Sequence, residues 1–150
     1  MAARPEKGGT ATDHNQGVVN RIHHVGIAVA DLDASIKLYQ SALGARLVHR
    51  ATNYTEGLEA AFLSTGAGEV ELMSPLREDS PVGKFVAKRG PGLHHVAFAV
   101  DDIEKALDEA RAAGVELIDV EPRMGMHGTR IAFLHPKSLG GVLTELVEHE

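Results

Sequence analysis

Two stretches decide the reading of this chain: Ile22–Asp31, IHHVGIAVAD, and Leu93–Asp102, LHHVAFAVDD. They lie 71 residues apart and agree at six of ten positions, a doubled histidine included, so the chain reads as an internal duplication. The segments downstream of the two copies agree as well. Leu32, Ile36, Tyr39 and Leu43 recur at helical spacing behind Asp31, which suits an N-cap, and ahead of Gly44, which suits a left-handed stop. Ile103, Leu107 and Ala110 repeat that pattern, with Asp101 and Glu104 spaced as a capping box and Gly114 closing. Strand-like runs come next, at 46–49, 58–63 and 69–73 in the first half and at 115–120, 130–134 and 142–147 in the second. Each half is therefore βαβββ, and the fold class is α+β.

A half of roughly 55 residues buries its sheet poorly alone, so the two are expected to pair in one domain over 21–150. The modules run over about 22–75 and 93–148. In the connector, 76–92, Ser80 and Pro81 can cap a short helix carrying Val82, Phe85 and Val86 on one side, ended by Gly90 and Pro91. Residues 1–20 show no periodic apolar pattern and read as a disordered leader.

Composition narrows the function classes. The 150 residues carry 15 Lys and Arg against 21 Asp and Glu, a formal charge of −6, and no basic block with aromatic partners, so nucleic acid is not an expected partner. The absence of Cys excludes a disulfide framework and a cysteine nucleophile together. No apolar run approaches the roughly 18 residues needed to cross a bilayer, and the start carries no apolar signal segment. No membrane partner is expected, and the compartment that fits is a cytoplasmic one.

Nine histidines are the conspicuous count, and strand alternation sorts the important ones. Val25, Ile27 and Val29 share the face that should take the helix, leaving His24, Gly26 and Ala28 on the other. Val96, Phe98 and Val100 oppose His95, Ala97 and Ala99 in the same way. Each module thus sets one His beside small residues on the face away from its helix, while His23 and His94 fall on the helix-facing parity as structural or supporting residues. The last strand of each half carries a carboxylate inside an apolar run, Glu71 and Glu145. Brought face to face, His24, Glu71, His95 and Glu145 form a two-nitrogen, two-oxygen set suited to Co, Mn, Ni or Zn, with positions left for water or substrate.

At these residues the sequence resembles the vicinal oxygen chelate superfamily, and within it the methylmalonyl-CoA epimerase family. The resemblance covers about residues 22–148. It rests on IHHVGIAVADLDASIKLYQSALGA, VELMSPLREDSPVGKFVAKRGPGLHHVAFAVDDI and EPRMGMHGTRIAFLHPKSLGGVLTELVE. It implies paired βαβββ modules forming a cup-shaped mixed sheet around a divalent metal, with cobalt favoured. It places the ligands on His24, Glu71, His95 and Glu145, and it puts a further glutamate of some members at Ala60, beside Glu59. The activity it implies is epimerisation at C2 of methylmalonyl-CoA. Proton removal and return on opposite faces need two acid/base groups, of which Glu145 is one and Glu59 or His127 the candidates for the other. Substrate-binding contacts are expected from Lys137 and Ser138, whereas Lys84, Lys88 and Arg89 read as a solvated helix face. A homodimer is expected from exposed sheet edges. A glyoxalase-like lyase acting on a glutathione thiohemiacetal, and a non-catalytic small-ligand-binding protein of the same fold, use the same four positions and stay open.

Overall fold

The computed structural model describes residues 18–149, and the stretch read as a leader lies outside the described residues except at its end. The first module runs β1 (Val19–Ala28), α1 (Leu32–Leu43), β2 (Arg46–Asn53), β3 (Leu58–Ser64) and β4 (Glu69–Pro75). A connecting helix α2 (Pro81–Arg89) leads to β5 (Gly92–Val100), α3 (Ile103–Ala112), β6 (Arg123–Met124), β7 (Arg130–Leu134), a 3-10 turn at Pro136–Leu139 and β8 (Thr144–Glu148). β1 opens at Val19, inside the stretch read as leader, and Asn20 there donates to Asp101 at 2.7 Å.

The eight strands of the described residues join one mixed sheet in the order β2-β3-β4-β1-β5-β8-β7-β6. β1 runs parallel to β4 and β5 parallel to β8, while β1 and β5 pair antiparallel at the centre, so the order reads alike from either side of that seam. The duplicated stretches are thus the two strands that meet.

Beyond the two HisHis pairs, the alternation works as the sequence suggests. Val29, Leu32, Ile36, Ala61, Leu63 and Leu72 form the core beneath α1, and Val100, Ile103, Leu107, Ala132 and Leu146 the matching core beneath α3. The opposite face curls into a cup, lined on the first-module side by Ala60, Phe62, Met73 and Val82. Each apolar side chain buried as fully as Phe62 or Leu72 contributes about 1.5–3 kcal/mol.

Local chemistry sets the helix ends. The Asp31 side chain accepts from Ala34 N–H, and Gly44 closes α1 at φ 65°. Ser80, buried, accepts from Gly83 N–H at 3.0 Å and donates to the Arg77 carbonyl at 2.7 Å, starting α2 ahead of Pro81. In α3 the cap is Asp102, which accepts from Lys105 N–H, rather than Asp101, because Asp101 is engaged by Asn20 and Glu104 faces Arg130.

The strand expected at 115–120 is the main departure. Only Leu117 makes a bridge, to Leu134, and the outermost strand is the two-residue β6 further on. The ladder fails here because Asp119 inserts its own carboxylate, accepting the Phe133 N–H at 2.8 Å where a backbone carbonyl would otherwise serve.

Candidate metal centre

His24 on β1 and His95 on β5 lie across the central seam. His24 is registered with Ala97, and His95 with Gly26. Glu71 on β4 is paired with Gly26, and Glu145 on β8 with Ala97, so each carboxylate stands in the row beside a small residue. A Cβ at Gly26 would overlap the His95 ring, which explains the glycine. Four side chains from the two modules therefore converge at the floor of the cup, each at most 6% exposed.

The distances suit a shared cation. His24 Nε2 lies 3.1 Å from His95 Nε2, 3.6 Å from Glu71 Oε1 and 3.2 Å from Glu145 Oε2. His95 Nε2 lies 3.3 Å from Glu71 Oε1 and 2.9 Å from Glu145 Oε2, and one donor atom from each residue falls within 4.8 Å of the others. Metal bonds of about 2.0–2.2 Å at angles of about 90–109° place neighbouring donors about 3.0–3.5 Å apart. Electrostatics agree with the geometry. Burial opposes protonation of His24, but hydrogen bonds and charge from Glu145 and Glu71 outweigh it and raise its pKa to about 9; the same balance raises His95. Burial likewise works against the Glu145 carboxylate, yet His24 and His95 bring it down to about 2, and Glu71 is lowered too. Two buried carboxylates call for positive charge between them, which protons supply in the metal-free cluster and a divalent ion supplies better.

His23 and His94 do not keep the helix-facing parity that the sequence suggests. A one-residue irregularity in the β1–β5 ladder falls at each of them, and their rings turn to the cup side against His24 and His95. Burial, and the neighbouring His24 or His95 charge, lower both to about 4, so both are neutral imidazoles near neutral pH.

Above the floor lies a cavity of about 320 Å³. Its walls are mostly apolar, with Phe62, Met73, Val82, Met126 and Phe133 among them, and His127 reaches in from the loop after β6. His127 Nε2 stands 3.1 Å from Glu69 Oε2, its ring lies against Phe62, and burial holds its pKa below the usual value. Glu59 is elsewhere: it accepts from Arg50 Nε at 2.7 Å on the outer face, where Arg50 also binds Asp33 of α1. Ala60 is the residue of that pair that faces the cup, fully buried among apolar side chains. Strand parity separates the two.

Lys137 and Ser138 do not line the cavity. Lys137 is exposed on the 3-10 turn, and Ser138 Oγ accepts the Glu116 N–H at 2.9 Å. Lys84, Lys88 and Arg89 occupy the exposed side of α2, as expected. A charged lining residue that the sequence reading missed is Arg123. Among the described residues Arg123 is the single Lys or Arg of the cavity wall, paired with Glu56 of the other module and with Asp119 at 3.2 Å, its guanidinium 5.6 Å from the Phe133 ring centre. It sits in the EPRMGMHGTR stretch, but no periodicity marks it, and its partners are set by loop packing.

The family model for the glyoxalase/bleomycin resistance protein/dioxygenase superfamily matches residues 23–133. This chain belongs to that superfamily. Within it the chain groups with the methylmalonyl-CoA epimerases. It is 37% identical over 131 residues to the ethylmalonyl-CoA/methylmalonyl-CoA epimerase of Cereibacter sphaeroides, covering 86% of this chain and 98% of that protein. The crystal structure of methylmalonyl-CoA epimerase from Mycobacterium tuberculosis superposes with a TM-score of 0.86 at 43% identity, covering 90% of this chain and 91% of the other. A methylmalonyl-CoA epimerase in complex with methylmalonyl-CoA and NH4+ matches with a TM-score of 0.81 at 43% identity, covering 87% of this chain and 94% of that one. The cup of paired modules is the architecture that the chain shares with these relatives. Among the described residues no helix is long and apolar enough to cross a membrane.

Proposed function

We propose that this protein epimerises methylmalonyl-CoA at C2, interconverting the R and S forms, with a divalent cation held by His24, Glu71, His95 and Glu145. C2 lies between a thioester and a carboxylate, so its proton is the one that can leave, but the charge left behind is too costly for a side-chain base near neutral pH unless it is offset. A cation in the four-residue cluster supplies that offset as negative charge develops on the substrate oxygens. The chain's own residues then move the proton. Glu145 at the cup floor serves one face of C2, and His127, its ring packed against Phe62 in the cavity wall, serves the other; one takes the proton and the other returns one to the opposite side, with the roles exchanged in the reverse direction. The apolar walls keep bulk water from reaching the carbanion first.

Lys137, exposed at the 3-10 turn, meets the anionic end of CoA, and Ser138 anchors the turn that presents it. Cobalt, favoured by the family resemblance alone, is the cation to try first, ahead of manganese, nickel and zinc. The chain works as a homodimer paired through an open sheet edge.

The observation that carries this reading is the convergence of four buried donors from two modules beneath a largely apolar cavity. Its test is solvent deuterium entry at C2 of methylmalonyl-CoA, followed by NMR, with chelator-treated and cobalt-reloaded protein. Reloading is expected to restore both exchange and epimerisation. A metal-loaded protein that exchanges nothing, or that turns over a glutathione thiohemiacetal in place of the CoA ester, overturns it.

A further inference from the structure

Each HisHis pair breaks the alternation of its strand in the same way. On β1 the register steps from Ile22↔Phe98 to His24↔Ala97, so His23 is the extra residue; on β5 it steps from Gly26↔His95 to Ile27↔Leu93, so His94 is. A bulge of this kind puts two consecutive side chains on one face. Both extra histidines use it alike. His23 Nδ1 lies 2.8 Å from His24 Nδ1, and His94 Nδ1 lies 2.9 Å from His95 Nδ1, with the rings nearly perpendicular at 79° and 87°. Each contact has room for one proton. The outer rings are themselves held, His23 edge-on to His127 at 5.7 Å and His94 edge-on to Phe85 at 4.9 Å.

The inner nitrogens decide where that proton sits. Nε2 of His24 and Nε2 of His95 face each other and the two carboxylates. A cation is accepted there only through Nε2 lone pairs, which places the ligand proton on Nδ1 and makes the preceding histidine its acceptor. We propose that His23 and His94 are positioning residues, a duplicated pair of imidazole acceptors that fix the Nδ1–H form and the ring orientation of His24 and His95. This rests on reading the four-residue cluster as a cation site. An imidazole suits the task because it accepts without adding charge: two carboxylates and a divalent ion already balance, and a third carboxylate would leave the buried site negative.

The amide oxygen of asparagine falls where histidine carries Nδ1, that of glutamine where it carries Nε2, and leucine offers neither. The test compares cobalt(II) binding by the full chain and by its H23N, H23Q, H23L, H94N, H94Q and H94L variants. Affinity is measured by competition with a chelating dye, alongside the visible spectrum of the bound ion and the thermal unfolding of the metal-free proteins. Each leucine variant is expected to bind cobalt about 10–100-fold more weakly with shifted d–d bands, and each asparagine variant to stay near the parent. Glutamine variants should fall with leucine, which keeps the comparison valid if a leucine variant fails to fold. Leucine or glutamine variants that bind as the parent does, with unchanged bands, overturn the proposal, as do asparagine variants that lose as much as leucine. A parent chain that takes up no cobalt would instead sink the cation site itself, and this inference with it.

Discussion

Gly26 shows how little room one residue leaves at the floor of the cup. Its missing side chain is the space into which the His95 ring folds from the neighbouring strand. Gly26→Ala forces that ring aside. Overpacking of this kind costs about 1–3 kcal/mol, and the displaced Nε2 should weaken cobalt binding even where the chain still folds. Calorimetric unfolding and cobalt titration of the same variant check this, and a parent-like affinity would show that the ring has another place to go. With Glu59 turned to Arg50 and Ala60 bare, His127 is the candidate left in the cavity wall for the face opposite Glu145. His127→Asn is expected to cut the epimerisation kcat by about 10²–10⁴-fold while deuterium exchange with retention continues through Glu145. Unimpaired inversion would return the role to some other group. The four donors and the small residues beside them were legible in the sequence because strand parity is local. His127 was only a candidate, since a loop residue has no period by which to be placed.

Among the elements, the β1–β5 pair does most to build the site, because the duplicated strands meet antiparallel and so bring equivalent residues to opposite sides of one seam. The helices were legible from spacing and caps, and α1 and α2 begin at the residues that their sequences indicate. The run at 115–120 was not, for its apolar residues suit a strand, but they change parity between Leu117 and Ile118 and the Asp119 carboxylate accepts the Phe133 N–H where a ladder carbonyl would. Ser138 ties the 3-10 turn to the backbone of Glu116, leaving Lys137 projecting from its outer side. Lys137→Ala is expected to raise KM for methylmalonyl-CoA with little change in kcat, since the contact proposed is to the CoA end rather than to the reacting carbon. Steady-state kinetics at two ionic strengths measure it, and an unchanged KM removes Lys137 from the binding surface.

Across the whole molecule, the sheet curls into a cup and, among the described residues, leaves two open edges, β2 and the two-residue β6. β2 is the long one, eight residues with Leu47 and Val48 partly exposed, and an uncovered edge of that length is the sort that a second copy covers. Light scattering after size exclusion should give twice the chain mass for the parent and the chain mass for Leu47→Lys. A parent chain that elutes as a monomer at micromolar concentration removes the dimer.

The duplication, the α+β order of the modules and the four residues of the candidate centre can be read from the chain alone, because all of them depend on residue type and short-range period. How the two copies interlock follows instead from contacts between them. The bulges that swing His23 and His94 into the cup, the arrival of His127 and Arg123 over it, and the loss of the 115–120 strand all result from cross-strand register and loop packing. Those are relations between residues far apart in the chain, and no local pattern encodes them.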